Sequence, residues 1–202
     1  MAAGPQLLPA GFSRRRSCAY WLSRAAGWVL VLGAGLLSAS LPARAQISSA
    51  EEYKLKLAFL YNFAKFVEWP ADAFPTPQAP LNICIMGRDP FDNDLERQVS
   101  ERSVNGRPYA IQGVRLGDKL GGCHIVFLPA GTDSSLPQVL EQLAGSPAIT
   151  VGESAGFARR GGTVNFVLEG TRLRFEVNLD LSQRARSRIS SRFLALARIV
   201  RD

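Results

Sequence analysis

Apolar residues change their spacing several times along this chain, and each spacing predicts a different element. The first clear element after residue 47 is a helix. Ser48 and Ser49 are each followed three residues later by a glutamate, the sequence of a helix capping box, and apolar residues then recur at helical spacing on nearly every side. We expect this helix to be enclosed by other elements and to end at Trp69-Pro70, because a residue before proline disfavours helical conformation.

After a proline-rich connector at residues 70–80, short apolar segments alternate with amphipathic ones. This pattern predicts strands over residues 81–86, 107–114, 123–128, 148–151, 163–168 and 171–179, and helices over residues 91–101 and 135–143. A final helix is predicted with a buried stripe of Leu181, Ala185, Ile189, Phe193, Leu196 and Val200. The alternation indicates an α/β fold with a mostly parallel sheet flanked by helices. The last two strands, joined at Glu169-Gly170, form an antiparallel edge hairpin.

The N-terminal 45 residues have the features of an export signal. They contain no Asp or Glu, and arginines precede an apolar run at residues 25–41, which ends at the small-residue site Ala43-Arg44-Ala45. This order predicts a secretory signal peptide over residues 1–45, cleaved before Gln46, and a single domain over residues 46–202. The alternative is an uncleaved N-terminal anchor.

Removing that segment changes the charge of the chain. The whole sequence has 24 Lys+Arg and 17 Asp+Glu, a net charge of +7, but five of the arginines lie in residues 1–45, so the mature chain carries +2. We therefore predict no nucleic-acid partner. The remaining charge is uneven, at +5 over residues 172–202 and −3 over residues 46–171. Arg184, Arg188 and Arg192 fall on one side of the predicted final helix, which indicates either a solvated face or docking on an acidic partner or lipid headgroups.

Motifs for catalysis, metals and cofactors are largely missing. His124 is the only histidine, and strand alternation directs it away from its neighbour Cys123, so we interpret it as structural and expect no metal site. The sequence contains no C-x-x-C, dinucleotide-binding, Walker A or nucleophile-elbow motif. We predict that the protein is not an enzyme and holds no cofactor. Arg88 and Asp89, in a loop between a strand and a helix, are the candidate residues for binding a small ligand.

The mature chain keeps two cysteines, Cys84 and Cys123, both in strongly apolar predicted strands. If these strands are neighbours and the two side chains share a face, a disulfide is geometrically reasonable in an oxidising compartment. The alternative is two buried free thiols.

Motifs dispersed over residues 50–200 resemble the YfiR family of bacterial periplasmic proteins. The segment YNFAKFVEWP at residues 61–70 resembles the family's N-terminal signature. Further matches follow in order at residues 81–91, 106–108, 123–128, 156–162, 165–166, 174–178 and 189–198.

The resemblance implies a periplasmic protein that binds the periplasmic domain of an inner-membrane diguanylate cyclase and represses it, lowering cyclic di-GMP and biofilm formation. It further implies relief by an outer-membrane lipoprotein or by redox stress, a homodimer, and a conserved disulfide matched by Cys84 and Cys123. Phe157, Glu169 and Glu176 are the implied partner-binding residues. The alternative function is a periplasmic sensor that binds a nucleotide or an amino acid.

Overall fold

The computed structural model of this protein describes residues 48–201. The predicted signal peptide, residues 1–45, and its cleavage site before Gln46 lie outside the described residues. No helix among residues 48–201 is long and apolar enough to cross a membrane.

The first helix, α1 (Ser49–Phe63), begins with the predicted capping box. The Ser48 hydroxyl accepts a hydrogen bond from the Glu51 amide, and the Glu51 carboxylate accepts one from the Ser48 amide. The hydrogen bond from the Ser48 amide to the carboxylate is the main cause that lowers the pKa of Glu51, and a hydrogen bond from the Ser48 hydroxyl to the same carboxylate acts in the same direction. The capping box also satisfies two amide groups at the helix N-terminus that have no partner within the helix.

The first helix ends earlier than the predicted Trp69-Pro70. The helix stops at Phe63, a 3₁₀ turn follows over Ala64–Phe66, and the short strand β1 (Val67–Glu68) precedes Trp69. The chain extends here because β1 pairs in antiparallel orientation with a distant strand, β9 (Arg188–Ile189), which the local sequence does not reveal. The helix is also not enclosed on every side, since Leu55 and Phe59 are exposed.

The strands and helices that follow confirm the alternating pattern. They are β2 (Leu81–Met86), α2 (Asp94–Val99), β3 (Ser103–Val104), β4 (Arg107–Val114), β5 (Ile125–Leu128), α3 (Leu136–Gln142), β6 (Ile149–Gly152), β7 (Val164–Glu169) and β8 (Arg172–Asn178). Asn105 and Gly106 form the predicted turn between β3 and β4, with φ angles of 51° and 77°. Both values suit a tight hairpin, which favours Asn-Gly.

Eight of the described strands form a sheet in the order β10-β8-β7-β6-β5-β2-β4-β3, where β10 is Ala197–Val200, and β1 and β9 form a separate two-stranded sheet. Five neighbouring strands run parallel to one another, in the order β4, β2, β5, β6 and β7. β7 and β8 form the predicted antiparallel hairpin, and β3 is antiparallel to β4. The α/β class with a mostly parallel sheet is therefore confirmed. One further strand, β10, lies outside the hairpin and runs parallel to β8.

The predicted final helix is wrong. Residues 179–200 form α4 (Leu179–Arg184), β9, α5 (Ser191–Leu194) and β10. Arg186 adopts a φ of 59°, which ends the helix, and the Ser187 hydroxyl donates to the Pro147 carbonyl instead of facing solvent.

Two further predictions for residues 179–200 are wrong. The residues of the predicted stripe are distributed over several elements, and Leu196 is exposed. Arg184, Arg188 and Arg192 belong to three different elements and do not share a helix face.

The sheet separates two apolar clusters. One side packs α1 and Phe193 against the buried residues of the central strands, with Phe59, Phe63, Phe175 and Phe193 in a chain of ring contacts. The other side packs α3 and the segment around Phe157 over Cys84 and Cys123. This two-sided burial explains why the central parallel strands β2, β5 and β6 are nearly continuous buried runs with no alternation.

Candidate functional site

Cys84 and Cys123 are joined by a disulfide in the structure. Their Cα atoms are 5.9 Å apart, and both side chains are buried in the cluster on the α3 side of the sheet. Cys84 lies in β2, and Cys123 lies two residues before the neighbouring strand β5. The disulfide joins the residues just before β5 to the central strand β2. The alternative of two free thiols is therefore not what the structure contains.

His124 has the structural role expected for it. Its Nδ1 accepts a hydrogen bond from the Asn82 amide at 3.0 Å, so its Nε2 carries the proton and donates to the Ala73 carbonyl at 3.1 Å. Its ring stacks on Phe74 at 4.3 Å between centroids. Burial is the main cause that lowers the pKa of His124, and the positive charge of Arg107 acts in the same direction. The neutral imidazole thus fastens the proline-rich connector to the start of β2 and β5.

Phe157 is buried, and this finding corrects its expected place on a binding surface. Its side chain is 1% exposed, and its ring fills the space above two glycines, Gly152 at the end of β6 and Gly162 before β7. A Cβ atom on either glycine would overlap the ring. Phe157 therefore anchors a 3₁₀ turn, Phe157–Arg160, from beneath and offers no side-chain surface to a partner in this conformation.

Glu169 and Glu176 lie in a charged cluster on the C-terminal strands. Arg198 donates to Glu169 at 2.6 Å and to Glu176 at 3.3 Å, and Arg174 lies 3.6 Å from Glu169. The pairing of β7, β8 and β10 places Asn165, Glu176 and Arg198 side by side across three strands. Glu169 is exposed, whereas Glu176 is largely covered. We call Glu169, Arg174, Glu176 and Arg198 the charged cluster.

Arg198 was not identified as a site residue from the sequence. The sequence pattern assigns Arg198 to the predicted final helix, and the pairing of β10 with β8 is what places it beside Glu176. The excess of arginine over residues 172–202 was the available signal.

A buried ion pair at the carboxyl ends of the parallel strands was also missed. Lys56 of α1 contacts Glu153, the first residue after β6, at 2.5 Å, and it also pairs with Glu52. The Glu153 carboxylate accepts further hydrogen bonds from the Tyr53 hydroxyl at 2.9 Å and the Ala130 amide at 2.5 Å. Burial, with the hydrogen bond to Glu153, raises the pKa of Tyr53 above its usual value. These contacts fix the start of segment 153–162 against α1.

The loop that contains Arg88 and Asp89 is organised by its own backbone. The Asp89 carboxylate accepts hydrogen bonds from the Phe91 and Asn93 amides, and Arg88 is exposed. A shallow groove of about 290 Å³ lies between this loop and the start of α1. Its walls include Tyr53, Leu57 and Phe91, but not Arg88 or Asp89. The structure thus does not bring the two candidate ligand residues into the groove.

Metal-binding residues are not grouped in the described part of the chain. No three His, Cys, Asp or Glu side chains among residues 48–201 lie close enough to hold a metal ion.

Comparison with known families gives one match. A family model described as YfiR/HmsC-like matches residues 53–198, more than two thirds of the chain. The matched range runs from the second turn of α1 into β10, and so includes the disulfide, the buried ion pair and the charged cluster.

Proposed function

The chain belongs to the YfiR/HmsC-like family, and on that premise we propose that it is a periplasmic regulatory protein. In this proposal it binds the periplasmic domain of an inner-membrane diguanylate cyclase and represses it, which lowers cyclic di-GMP and biofilm formation. The family match over residues 53–198 is the observation that carries the proposal. We propose no catalytic role for the protein.

The export signal and the disulfide support the proposed compartment. Residues 1–45 have the order of a basic segment, an apolar run and a small-residue site, and we propose that they are removed before Gln46. Disulfides persist in the periplasm and are rare in the cytosol. The buried bond between Cys84 and Cys123 is therefore in keeping with an exported protein.

We place the partner contact on the charged cluster. Glu169 is exposed near the end of β7 and forms ion pairs with Arg174 and Arg198, so its carboxylate lies where a partner can reach it. Glu176, which is largely covered, orients Arg198 from beneath. Phe157 supports segment 153–162, which precedes β7, from its buried position.

Deletion of the gene tests the proposed function. We expect cyclic di-GMP to rise, and we expect the wild-type protein to co-purify with the periplasmic domain of a membrane cyclase. Glu169→Lys should lose both repression and co-purification, because a lysine there repels Arg174 and Arg198 and reverses the charge offered to the partner. The matched control is Glu101→Lys, an exposed position beside β3 at the opposite edge of the sheet. Unchanged cyclic di-GMP on deletion, together with no cyclase partner, would reject the proposal.

Two further parts of the proposal rest on the family resemblance alone. These are a homodimer and relief of repression by an outer-membrane lipoprotein. Sedimentation equilibrium of the purified protein measures the first. Competition between the purified lipoprotein and the cyclase domain for this protein measures the second.

A second candidate function is the sensing of a small ligand. The groove between α1 and the loop after β2 favours it, because ligands of parallel α/β sheets bind at the carboxyl ends of the strands. Thermal unfolding in the presence of nucleotides or amino acids tests this idea, since a ligand of the folded state raises the melting temperature. No shift with any of these compounds would reject it.

A further inference from the structure

The proline-rich connector, residues 70–80, covers the ring of His124 with little backbone attachment to the rest of the described chain. The amides of Ala73, Phe74 and Ala79 donate to carbonyls within the connector itself. Most connector residues are exposed, whereas His124 beneath them is 3% exposed. A segment with few backbone hydrogen bonds to the core opens at a lower free-energy cost than the core does. The connector is therefore the part of the chain around His124 that can move without breaking the sheet.

Three side chains of other elements hold the connector in place. His124 donates to a connector carbonyl at 3.1 Å and stacks on Phe74 at 4.3 Å between centroids. Arg107 donates to two connector carbonyls at 3.0 and 2.9 Å, and its guanidinium lies 3.7 Å from the centre of the Phe74 ring. The third side chain is Arg186, whose ion pair with Asp72 is exposed and so contributes little. His124 and Arg107 thus supply most of the polar attachment.

The site has no place for a second proton on His124. Its Nδ1 accepts a hydrogen bond from the Asn82 amide at 3.0 Å, and its Nε2 already carries a proton. Protonation of Nδ1 turns that nitrogen towards another N–H group, so the Asn82 amide loses its acceptor. The new charge would also be buried, with Arg107 in contact with the same Phe74 ring. A buried charge without a partner is costly.

Carboxylates do not offset this cost. The charged side chains on the elements around His124 are Glu68 on β1, Asp72 in the connector, Arg107 on β4, Asp118 and Lys119 in the turn before Cys123, and Arg186 and Arg188 around β9. None of these three acids forms an ion pair with the imidazole, since Asp72 is paired with Arg186 and Glu68 is exposed. Burial is the main cause that lowers the pKa of His124. The hydrogen bond to the connector acts against it, and the charge of Arg107 acts with it.

We propose that the connector is an acid-released strap at the amino ends of β2 and β5. Protonation of His124 breaks its hydrogen bond with the Asn82 amide, and the connector moves away so that water reaches the imidazolium ring while the strands stay paired. Water then also reaches the Trp69 indole N–H, which has no hydrogen-bond partner among the described residues. Each pH unit below about 6.5 favours the released form by up to about tenfold, because only that form hydrates the charge. The proposal goes beyond the proposed function and holds whichever partner the protein binds.

Amide hydrogen exchange of the exported protein, followed residue by residue by NMR and corrected for the intrinsic effect of pH, tests the strap. It detects the released form even as a small fraction of the molecules. Because His124 is the only histidine, we expect the protection of the Asn82 amide to fall about tenfold between pH 7.5 and pH 5.5. The amides of β2 and β5 should stay better protected than Asn82 at both pH values.

Three variants complete the test, with circular dichroism to verify that each is folded. His124→Gln should abolish the fall in Asn82 protection between the two pH values. Arg107→Gln should lower Asn82 protection at both pH values, because it removes two of the hydrogen bonds that hold the connector. Arg115→Gln, an exposed position just after β4, is the matched control and should exchange as the wild type does.

The strap is overturned if Asn82 protection in the wild type is the same at both pH values, or if the fall persists in folded His124→Gln. It is also overturned if Asn82 is as well protected as the amides of β2 and β5, because Asn82 then opens only with the whole sheet. If His124→Gln does not fold, the wild type and Arg107→Gln decide. Unaltered Asn82 protection in Arg107→Gln rejects the proposal.

Discussion

Cys84 and Cys123 are 39 positions apart in the chain, but Cys84 lies on the central strand β2 and Cys123 lies two residues before the neighbouring strand β5. A cross-link of this span restricts the unfolded chain much more than the folded one, and both sulfur atoms are surrounded by apolar side chains. The bond is therefore a stabilising element of the core, independent of any regulatory use.

We predict that Cys84→Ser lowers the free energy of unfolding by about 3–4 kcal/mol, because the unfolded chain regains the entropy of an open loop. Urea unfolding followed by tryptophan fluorescence measures the change. Wild-type protein unfolded under reducing conditions is the control and should match the variant. Equal midpoints for oxidised wild type and variant would contradict the prediction.

His124 gives the fold a dependence on pH that can be assigned to one residue, since the chain has no other histidine. Burial lowers its pKa in the folded state, so the unfolded chain takes up a proton at higher pH than the folded protein does. Stability attributable to His124 is complete above pH 6.5. It is lost as the pH falls from about 6.5 through the lowered folded-state pKa.

We predict that His124→Gln removes this loss of stability. At pH 7.5 the variant should have a lower free energy of unfolding than the wild type, because glutamine loses the ring stack on Phe74. Between pH 7.5 and pH 5.5, however, the free energy of unfolding should change less in the variant than in the wild type. Urea unfolding at both pH values measures the two slopes. Identical slopes for wild type and variant would show that His124 titrates equally in the folded and unfolded chain.

At the scale of elements, segment 153–162 is fixed at both ends. Glu153 is bound to Lys56 and Tyr53 of α1, and Phe157 fills the space above Gly152 and Gly162. These contacts join residues far apart in sequence. The segment is therefore rigidly placed beside the hairpin that carries Glu169.

We predict that Gly162→Ala destabilises the protein by about 1–3 kcal/mol, because its methyl group overlaps the Phe157 ring. Phe157→Ala should cost about 3–5 kcal/mol by leaving a cavity. In the double variant the two effects should be less than additive, since the smaller side chain at position 157 makes room for the methyl group. Gly113→Ala, with open space around its Cβ position, is the control. Additive effects would show that the two residues do not interact.

Residues 179–200 show where local pattern and element type diverge. The apolar spacing there suits a helix, and the leucine, alanine and arginine residues favour one, although the serines do not. Tertiary pairing of β9 with β1 and of β10 with β8 then selects short strands. The outcome matters for function, because it brings Arg198 to Glu169 and Glu176 and so completes the charged cluster.

At the scale of the whole molecule, one sheet connects all the described elements that carry candidate function. Its two apolar clusters share the same strands, so neither can lose its packing without exposing the other side. We therefore predict that residues 46–202 unfold as one cooperative unit in urea. Coincident transitions by far-ultraviolet circular dichroism and tryptophan fluorescence would support a single domain. Two separated transitions would contradict it.

Much of this protein was determined by its sequence alone. The capping box at Ser48 starts α1, the apolar runs give β2 and β5, Asn105-Gly106 gives the turn before β4, and the dispersed motifs give the family. Each of these signals depends on residues close together in the chain, where side-chain spacing directly reflects backbone periodicity.

The tertiary structure decided the parts that depend on distant partners. Lys56 and Glu153 are 97 positions apart, and no local pattern pairs them. The sequence around Phe157 does not reveal that its ring packs on Gly152 and Gly162. Arg198 reaches Glu176 only because β10 pairs with β8 in the sheet. Propensity and periodicity are properties of neighbours in sequence, whereas the candidate surface is built from contacts across strands. Those contacts are fixed only when the free energy of packing the whole sheet outweighs local preference.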